Sequence, residues 1–216
     1  MKTNLIFISQ GNGVEENLNS IRKAIKAGAD WVQLRLKAVS EAEIMTGAKA
    51  AMDLCKENNV LLTLNDHPSI VKELGIPSVH LGLTDMPVSE ARALLGPEVI
   101  IGGTANTFED IKMHMAAGAD YVGVGPMRFT TTKKNLSPVL GLEGYKSIIE
   151  KMKSEDLDIP VFAIGGLTAD DFLSLSQVGV HGVSLSSALL NAGQPELLIE
   201  QIDQHFSPHT ISSKSI

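Results

Sequence analysis

The chain has 216 residues, 44% of them hydrophobic and 20% charged, with a formal net charge of −7. Its length suits one domain, its composition excludes wholesale disorder, and its acidity speaks against general nucleic-acid binding, which needs an extended basic surface. A single cysteine, Cys55, excludes an intramolecular disulfide framework and a cysteine-rich metal site, and it fits a reducing cytoplasm.

In chain order, "MKTNLIFIS" has an apolar run too short for a signal-peptide core and reads as the first strand. Seven more β-branched or apolar runs follow: "WVQLRL", "VLLTLN", "SVHLG", "VIIGGT", "YVGVGP", "PVFAIGG" and "GVSLSS". Between them lie segments with apolar residues spaced at three and four, the helical period. In "EAEIMTGAKAAMDLCKEN" that spacing predicts Ile44, Ala48, Ala51 and Leu54 on one buried face, with Cys55 on the apolar side as a core residue. The last helix, "PELLIEQIDQHF", starts with proline at a first-turn position. No run approaches the roughly 20 apolar residues of a membrane span. The polar, aperiodic "SPHTISSKSI" at 207–216 reads as a frayed tail, leaving 1–206 as the domain.

The joints resemble one another. "KAGADWVQL", "AAGADYVGV" and "QVGVHGVSL" each place glycine at a helix end a few residues before a strand. Eight such units predict a single closed (β/α)₈ barrel. The alternative, an open doubly wound sheet, is disfavoured because "SQGNGVEEN" after the first strand lacks the third glycine of the dinucleotide fingerprint. In a barrel the chemistry belongs at the carboxyl ends of the strands.

Those ends are polar. Alternation along the second strand puts Gln33, Arg35 and Lys37 on one side, aimed at the barrel mouth, which favours anion binding over a pair of solvated charges. Asn65 and Asp66 end the third strand and Asp85 follows the fourth. The two carboxylates suit Mg²⁺, a hard cation that prefers oxygen ligands; equally, each could cap the helix that follows it. His80 reads as a satisfied interior histidine. Thr104 offers either a hydroxyl at the mouth or a structural turn. Gly165, Gly166, Ser186 and Ser187 follow the last two strands, where barrels of this kind often bind phosphate through backbone N–H groups. After the sixth strand, "TTTKKN" brings Thr130, Thr131, Thr132 and Lys133 between these two regions. This is more positive charge than one monophosphate requires, and it suggests a pyrophosphate together with a separate phosphate.

Taken in order, "QLRLK", "LND", "HLGLTDMP", "GGTANT", "GP....TTTKK", "AIGG" and "GVSLSSAL" closely resemble the thiamine-phosphate synthase family from the first strand to the eighth helix. The resemblance implies a barrel that joins 4-amino-2-methyl-5-hydroxymethylpyrimidine diphosphate to 4-methyl-5-hydroxyethylthiazole phosphate, releasing pyrophosphate. It implies that Gln33, Arg35, Lys37, Asn65 and Thr104 hold the pyrimidine diphosphate and that Asp66 and Asp85 bind Mg²⁺. By the same resemblance, Thr130, Thr131, Thr132, Gly166, Ser186 and Ser187 contact the thiazole phosphate, and Lys133 reaches the diphosphate. Arg35, Lys37 and Lys133 would carry the catalytic stabilisation of the leaving group. The chain departs from the family pattern at Leu83, where glutamine is frequent, at Thr104, where serine is, and at Arg128 and Phe129, where an aromatic residue precedes proline.

Three rivals remain at this level. A thiazole tautomerase of the same fold would typically have histidine where this chain has Asn106. A phosphosugar isomerase or epimerase would use Asp66 and Asp85 as an acid/base pair. A catalytically inert phosphate sensor would keep only the cup. The sequence leaves the oligomeric state open.

Overall fold

The protein is described from a computed structural model covering residues 4–129 and 138–206. Thr130, Thr131, Thr132, Lys133 and the tail 207–216 lie outside the described residues. Parallel strands close into a barrel in chain order: β1 (Leu5–Ile8), β2 (Trp31–Leu34), β3 (Leu61–Asn65), β4 (Ser78–Leu81), β5 (Ile100–Ala105), β6 (Tyr121–Val124), β7 (Val161–Ile164) and β8 (Gly182–Leu185). β8 pairs back onto β1, with Ile6 opposite Ser184. All eight strands expected from the sequence are present, and the sheet is closed.

Helices α1 (Gly13–Lys26), α2 (Glu41–Glu57), α3 (Pro68–Leu74), α4 (Val88–Leu95), α5 (Phe108–Ala116), α6 (Gly141–Ser154) and α7 (Phe172–Val178) cover the outside. A single 3₁₀ turn, Ala169–Asp171, leads into α7. Local chemistry sets their ends. Ser40 with Glu43, and Thr107 with Asp110, form reciprocal capping boxes at the starts of α2 and α5. Gly28, Gly118 and Gly179, the three glycines of the repeated joint, take φ of 105°, 88° and 106°, so each turns its helix end toward the next strand in a conformation closed to most side chains.

The barrel interior is layered. At its amino-terminal end Ile6, Trp31, Leu61, Ile100, Tyr121 and Phe162 form a separate apolar plug. The rings of Trp31, Tyr121 and Phe162 meet edge to face at centroid distances of 5.1–5.6 Å. The polar atoms that enter this layer are paired: Trp31 Nε1 donates to Thr63 Oγ1 (2.8 Å), which is bonded in turn to Ser78 Oγ (2.8 Å). Gly102 makes room for Tyr121, because a Cβ there would lie 2.1 Å from the ring. The plug closes one end and leaves the carboxyl end for ligands.

Three details differ from the sequence reading. β2 stops at Leu34, so Arg35 and Lys37 stand in the loop beyond it; the Arg35 N–H leaves the strand ladder for Ser9 Oγ (2.9 Å), and Ala38 turns the chain at φ 57°. On α2, Cys55 is buried whereas Leu54 only packs partly against the core. A four-residue helix, α8 (Ser187–Leu190), intervenes before α9 (Pro195–His205), the expected proline-initiated helix.

Candidate active site

At the carboxyl end of the barrel lies a cavity of about 560 Å³. Gln33, Arg35, Lys37, Asn65, Asp66, Asp85, Thr104, Gly166, Ser186 and Ser187 all line it, as do Gly165 and His80. Every sequence-derived site residue within the described residues therefore converges on one space.

On the β2–β4 side, Lys37 Nζ donates to Asp66 Oδ2, and the Asp66 carboxylate meets the Asp85 carboxyl. Neither acid caps its helix. His67 and Pro87 occupy the positions before α3 and α4, and Asp85 Oδ2 instead accepts the Gly82 N–H at 2.6 Å. Asp66 itself holds a left-handed backbone, φ 73°, which is uncommon outside glycine and tolerated best by Asp and Asn. Burial pushes both carboxyls up, but the hydrogen bonds from Asp85 and Lys37 hold Asp66 below the usual carboxylate range. Asp85 is raised by burial and by the neighbouring Asp66, so of the two carboxyls Asp85 takes up a proton first on acidification.

Among the described residues no group of three or more His, Cys, Asp or Glu side chains is placed to hold a metal ion. A fully protein-built cage is not what Mg²⁺ needs; it is commonly held by one or two carboxylates plus waters and ligand phosphates. Two adjoining carboxyl groups, open to a cavity, fit a hard cation that arrives with a phosphorylated ligand.

Deeper in the cavity the polar groups are fixed by one another. Gln33 Nε2 donates to Asn65 Oδ1 at 2.8 Å with both residues buried. His80 bonds Tyr121 OH (3.2 Å) and Thr104 Oγ1 (3.0 Å), which makes it the satisfied interior histidine expected and also part of the cavity floor. Thr104 lies within β5, so the structural-turn reading fails, and the residue lines the cavity. Asn106 donates its amide to Gly125 O at 2.5 Å.

Across the mouth, Gly165 and Gly166 adopt φ of 92° and 69°. Ser186 Oγ bonds Gln10 Oε1 at 3.0 Å, tying the end of β8 to the loop after β1. No acceptor among the described residues takes the backbone N–H of Gly165, Gly166, Ser186 or Ser187. Four cavity-lining residues whose N–H groups have no acceptor among the described residues suit an anion.

A family model described as thiamine monophosphate synthase matches residues 5–189. The chain belongs to the thiamine monophosphate synthase family. A thiamine-phosphate synthase from Bacteroides fragilis is 51% identical over 191 residues, covering 88% of this chain and 94% of that protein. A thiamine-phosphate synthase from Flavobacterium johnsoniae is 41% identical over 211 residues, covering 98% of this chain and all of its own length, 100%. Among solved structures, a thiamine phosphate pyrophosphorylase from Pyrococcus furiosus superposes with a TM-score of 0.77 at 28% identity, covering 93% of this chain and 94% of that one. Membership in the thiamine monophosphate synthase family makes the protein a transferase of thiamine biosynthesis.

Several cavity residues escaped the sequence reading. Ser9, just beyond β1, and Tyr121 of β6 both line the cavity; alternation with outward-facing Val122 was the available signal for Tyr121, whereas the parity of Ser9 with Phe7 pointed outward. The contact between Arg128 and Asp171 had none, because the two are 43 positions apart.

Proposed function

We propose that the chain joins 4-amino-2-methyl-5-hydroxymethylpyrimidine diphosphate to 4-methyl-5-hydroxyethylthiazole phosphate, giving thiamine phosphate and pyrophosphate. The observation that carries this reading is the pairing, in one cavity, of a cationic and carboxylate side at β2–β4 with N–H donors after β7 and β8 that have no acceptor among the described residues. The thiamine-phosphate synthases at 41% and 51% identity support it.

In this reading Gln33, Arg35, Lys37, Asn65 and Thr104 hold the pyrimidine diphosphate. Asp66 and Asp85 hold Mg²⁺, which when bound supplies positive charge against the diphosphate oxygens. Gly166, Ser186 and Ser187 receive the thiazole phosphate; on the strength of the sequence motif alone, Thr130, Thr131 and Thr132 join them and Lys133 reaches the diphosphate. The bond between the pyrimidine methylene carbon and the diphosphate oxygen breaks with its electron pair leaving on pyrophosphate. The electron-rich aminopyrimidine carries the developing positive charge, and the thiazole nitrogen lone pair forms the new carbon–nitrogen bond. Arg35 and Lys37, with Lys133 on the strength of the motif, stabilise the leaving charge, and no protein nucleophile enters. Asn106, an amide already bonded to Gly125, supplies no acid or base for a tautomerase reaction.

Residues 1–206 form the catalytic barrel and 207–216 its tail. The buried Cys55 thiol, pushed up to about 12 by burial, fits work in a reducing cytoplasm. No helix among the described residues is long and apolar enough to cross a membrane. The test is to mix protein, both substrates and Mg²⁺, and to follow thiamine phosphate and pyrophosphate with and without EDTA. Equal amounts of both products, lost with EDTA and restored by Mg²⁺, are expected; folded protein that forms neither overturns the reading.

A further inference from the structure

Three successive carbonyls in the turn after β7 are taken by the loop that follows β6. Ile164 O accepts the Met127 N–H (2.9 Å), Gly165 O accepts the Arg128 N–H (3.0 Å), and Gly166 O accepts Arg128 Nη1 (3.2 Å). In a trans peptide the C=O and the next N–H point in opposite directions. The N–H groups of Gly165, Gly166 and Leu167 are therefore turned away from the β6 loop, and all three residues line the cavity.

The first two of these peptides are held by backbone, as a strand ladder would hold them. The third is held by a side chain. Glycine at Gly166 allows the peptide that follows it to flip at little steric cost, so backbone geometry alone does not choose its direction. Arg128 Nη1 makes that choice, and the guanidinium is itself fixed: Nη1 and Nη2 reach Asp171 Oδ2 and Oδ1 at 2.5 and 2.6 Å. Asp171 is buried on the 3₁₀ turn and also accepts the Thr168 N–H (2.8 Å) and hydroxyl (3.2 Å). A planar guanidinium fork on a carboxylate this well held has one orientation. The close fit leaves no slack, since a Cβ on Gly166 would fall 2.9 Å from Arg128 Cβ.

We propose that Arg128 and Asp171 form a positioning pair that fixes the direction of the Gly166–Leu167 peptide and so presents its N–H to the phosphate of the thiazole substrate. The pair touches no reacting atom. It ties the loop after β6 to the turn after β7 by an ion pair across two loops. The assignment of the phosphate to the thiazole substrate rests on the reading under Proposed function.

The test uses Arg128→Ala, Arg128→Lys, Asp171→Asn and the Arg128→Ala/Asp171→Asn double variant in the full chain. In Arg128→Ala and Asp171→Asn, KM for the thiazole phosphate is expected to rise about tenfold, the factor one ordinary hydrogen bond supplies, with kcat and the KM of the pyrimidine diphosphate unchanged. Arg128→Lys rescues part of the loss, because one ammonium reaches either Asp171 or Gly166 O but not both. The double variant loses no more than a single one, as members of one unit do. A second readout needs no turnover: inorganic phosphate titrated into ¹⁵N-labelled protein shifts the Gly165, Gly166 and Leu167 amides, and Arg128→Ala requires about tenfold more phosphate for the same shift. Both KM values moving together with a lower Tm would reduce the pair to a structural brace and overturn the proposal. Amides that ignore phosphate in an active protein overturn it as well. If the wild-type protein forms no product while the pair still governs the phosphate response, the positioning role stands and only the assigned reaction falls.

Discussion

Replacing Asp66 by Asn should separate catalysis from folding. The side chain keeps its shape, and asparagine tolerates the left-handed backbone at φ 73°. Its contact with Lys37, whose side chain is 52% exposed against 14% for Asp66, is partly screened by solvent and contributes about 0–1 kcal/mol. Losing that contact is offset by removing a charge that repels Asp85. The net change is expected within about 1 kcal/mol, or roughly 2–4 °C in Tm for a chain of this size. Activity should respond differently. A directed electrostatic contact to charge that develops in the transition state contributes about 2.7–4 kcal/mol, so kcat should fall about 10²- to 10³-fold. With its neighbour neutral, Asp85 should also titrate lower than in the wild-type protein. The assay is pyrophosphate release over a Mg²⁺ titration beside a thermal melt and a pH–rate profile. Near-wild-type turnover at matched Mg²⁺ would refute the assignment of Asp66 to the cation, and an unfolded variant would move it from the mouth to the framework.

Gly102→Ala places a methyl 2.1 Å from the Tyr121 ring inside the apolar plug, and it should lower the unfolding free energy by at least the roughly 1–3 kcal/mol typical of overpacking, read as a lower urea midpoint; an unchanged midpoint refutes the packing. Thr104→Val withdraws a hydroxyl from His80 Nε2 and should cost about 1–3 kcal/mol in chemical denaturation, whereas Thr104→Ser should behave as wild type. Burial alone would raise the Asp171 carboxyl, but Arg128 and Thr168 hold it below the usual range, so protons bind the unfolded chain first on acidification. Its stabilisation is complete above the ordinary carboxylate range and is lost as pH falls through the depressed native value. Denaturation at a series of acidic pH values should show a shallower decline in Asp171→Asn, and an identical slope would remove Asp171 from the account.

The framework was legible because it repeats. Period-two runs, helical spacing and a glycine at each joint are local signals, and eight units carrying them leave a closed barrel as the way to bury every strand on both faces. Strand polarity alone then placed Gln33, Arg35, Asp66, Asp85, Thr104 and Ser186 at one end, where the structure finds them lining one cavity. What those groups do to one another depends on distance across the barrel. Spacing left Asp66 and Asp85 equally suited to capping helices or to sharing a site; the fold decided it by bringing two strand ends close enough for one carboxyl to raise the other. It also set His80 between Tyr121 and Thr104, and Arg128 onto Asp171. Periodicity is written along the chain and can be read there, whereas hydrogen bonds and charge coupling act through space, over a few ångströms that only closure of the barrel brings about.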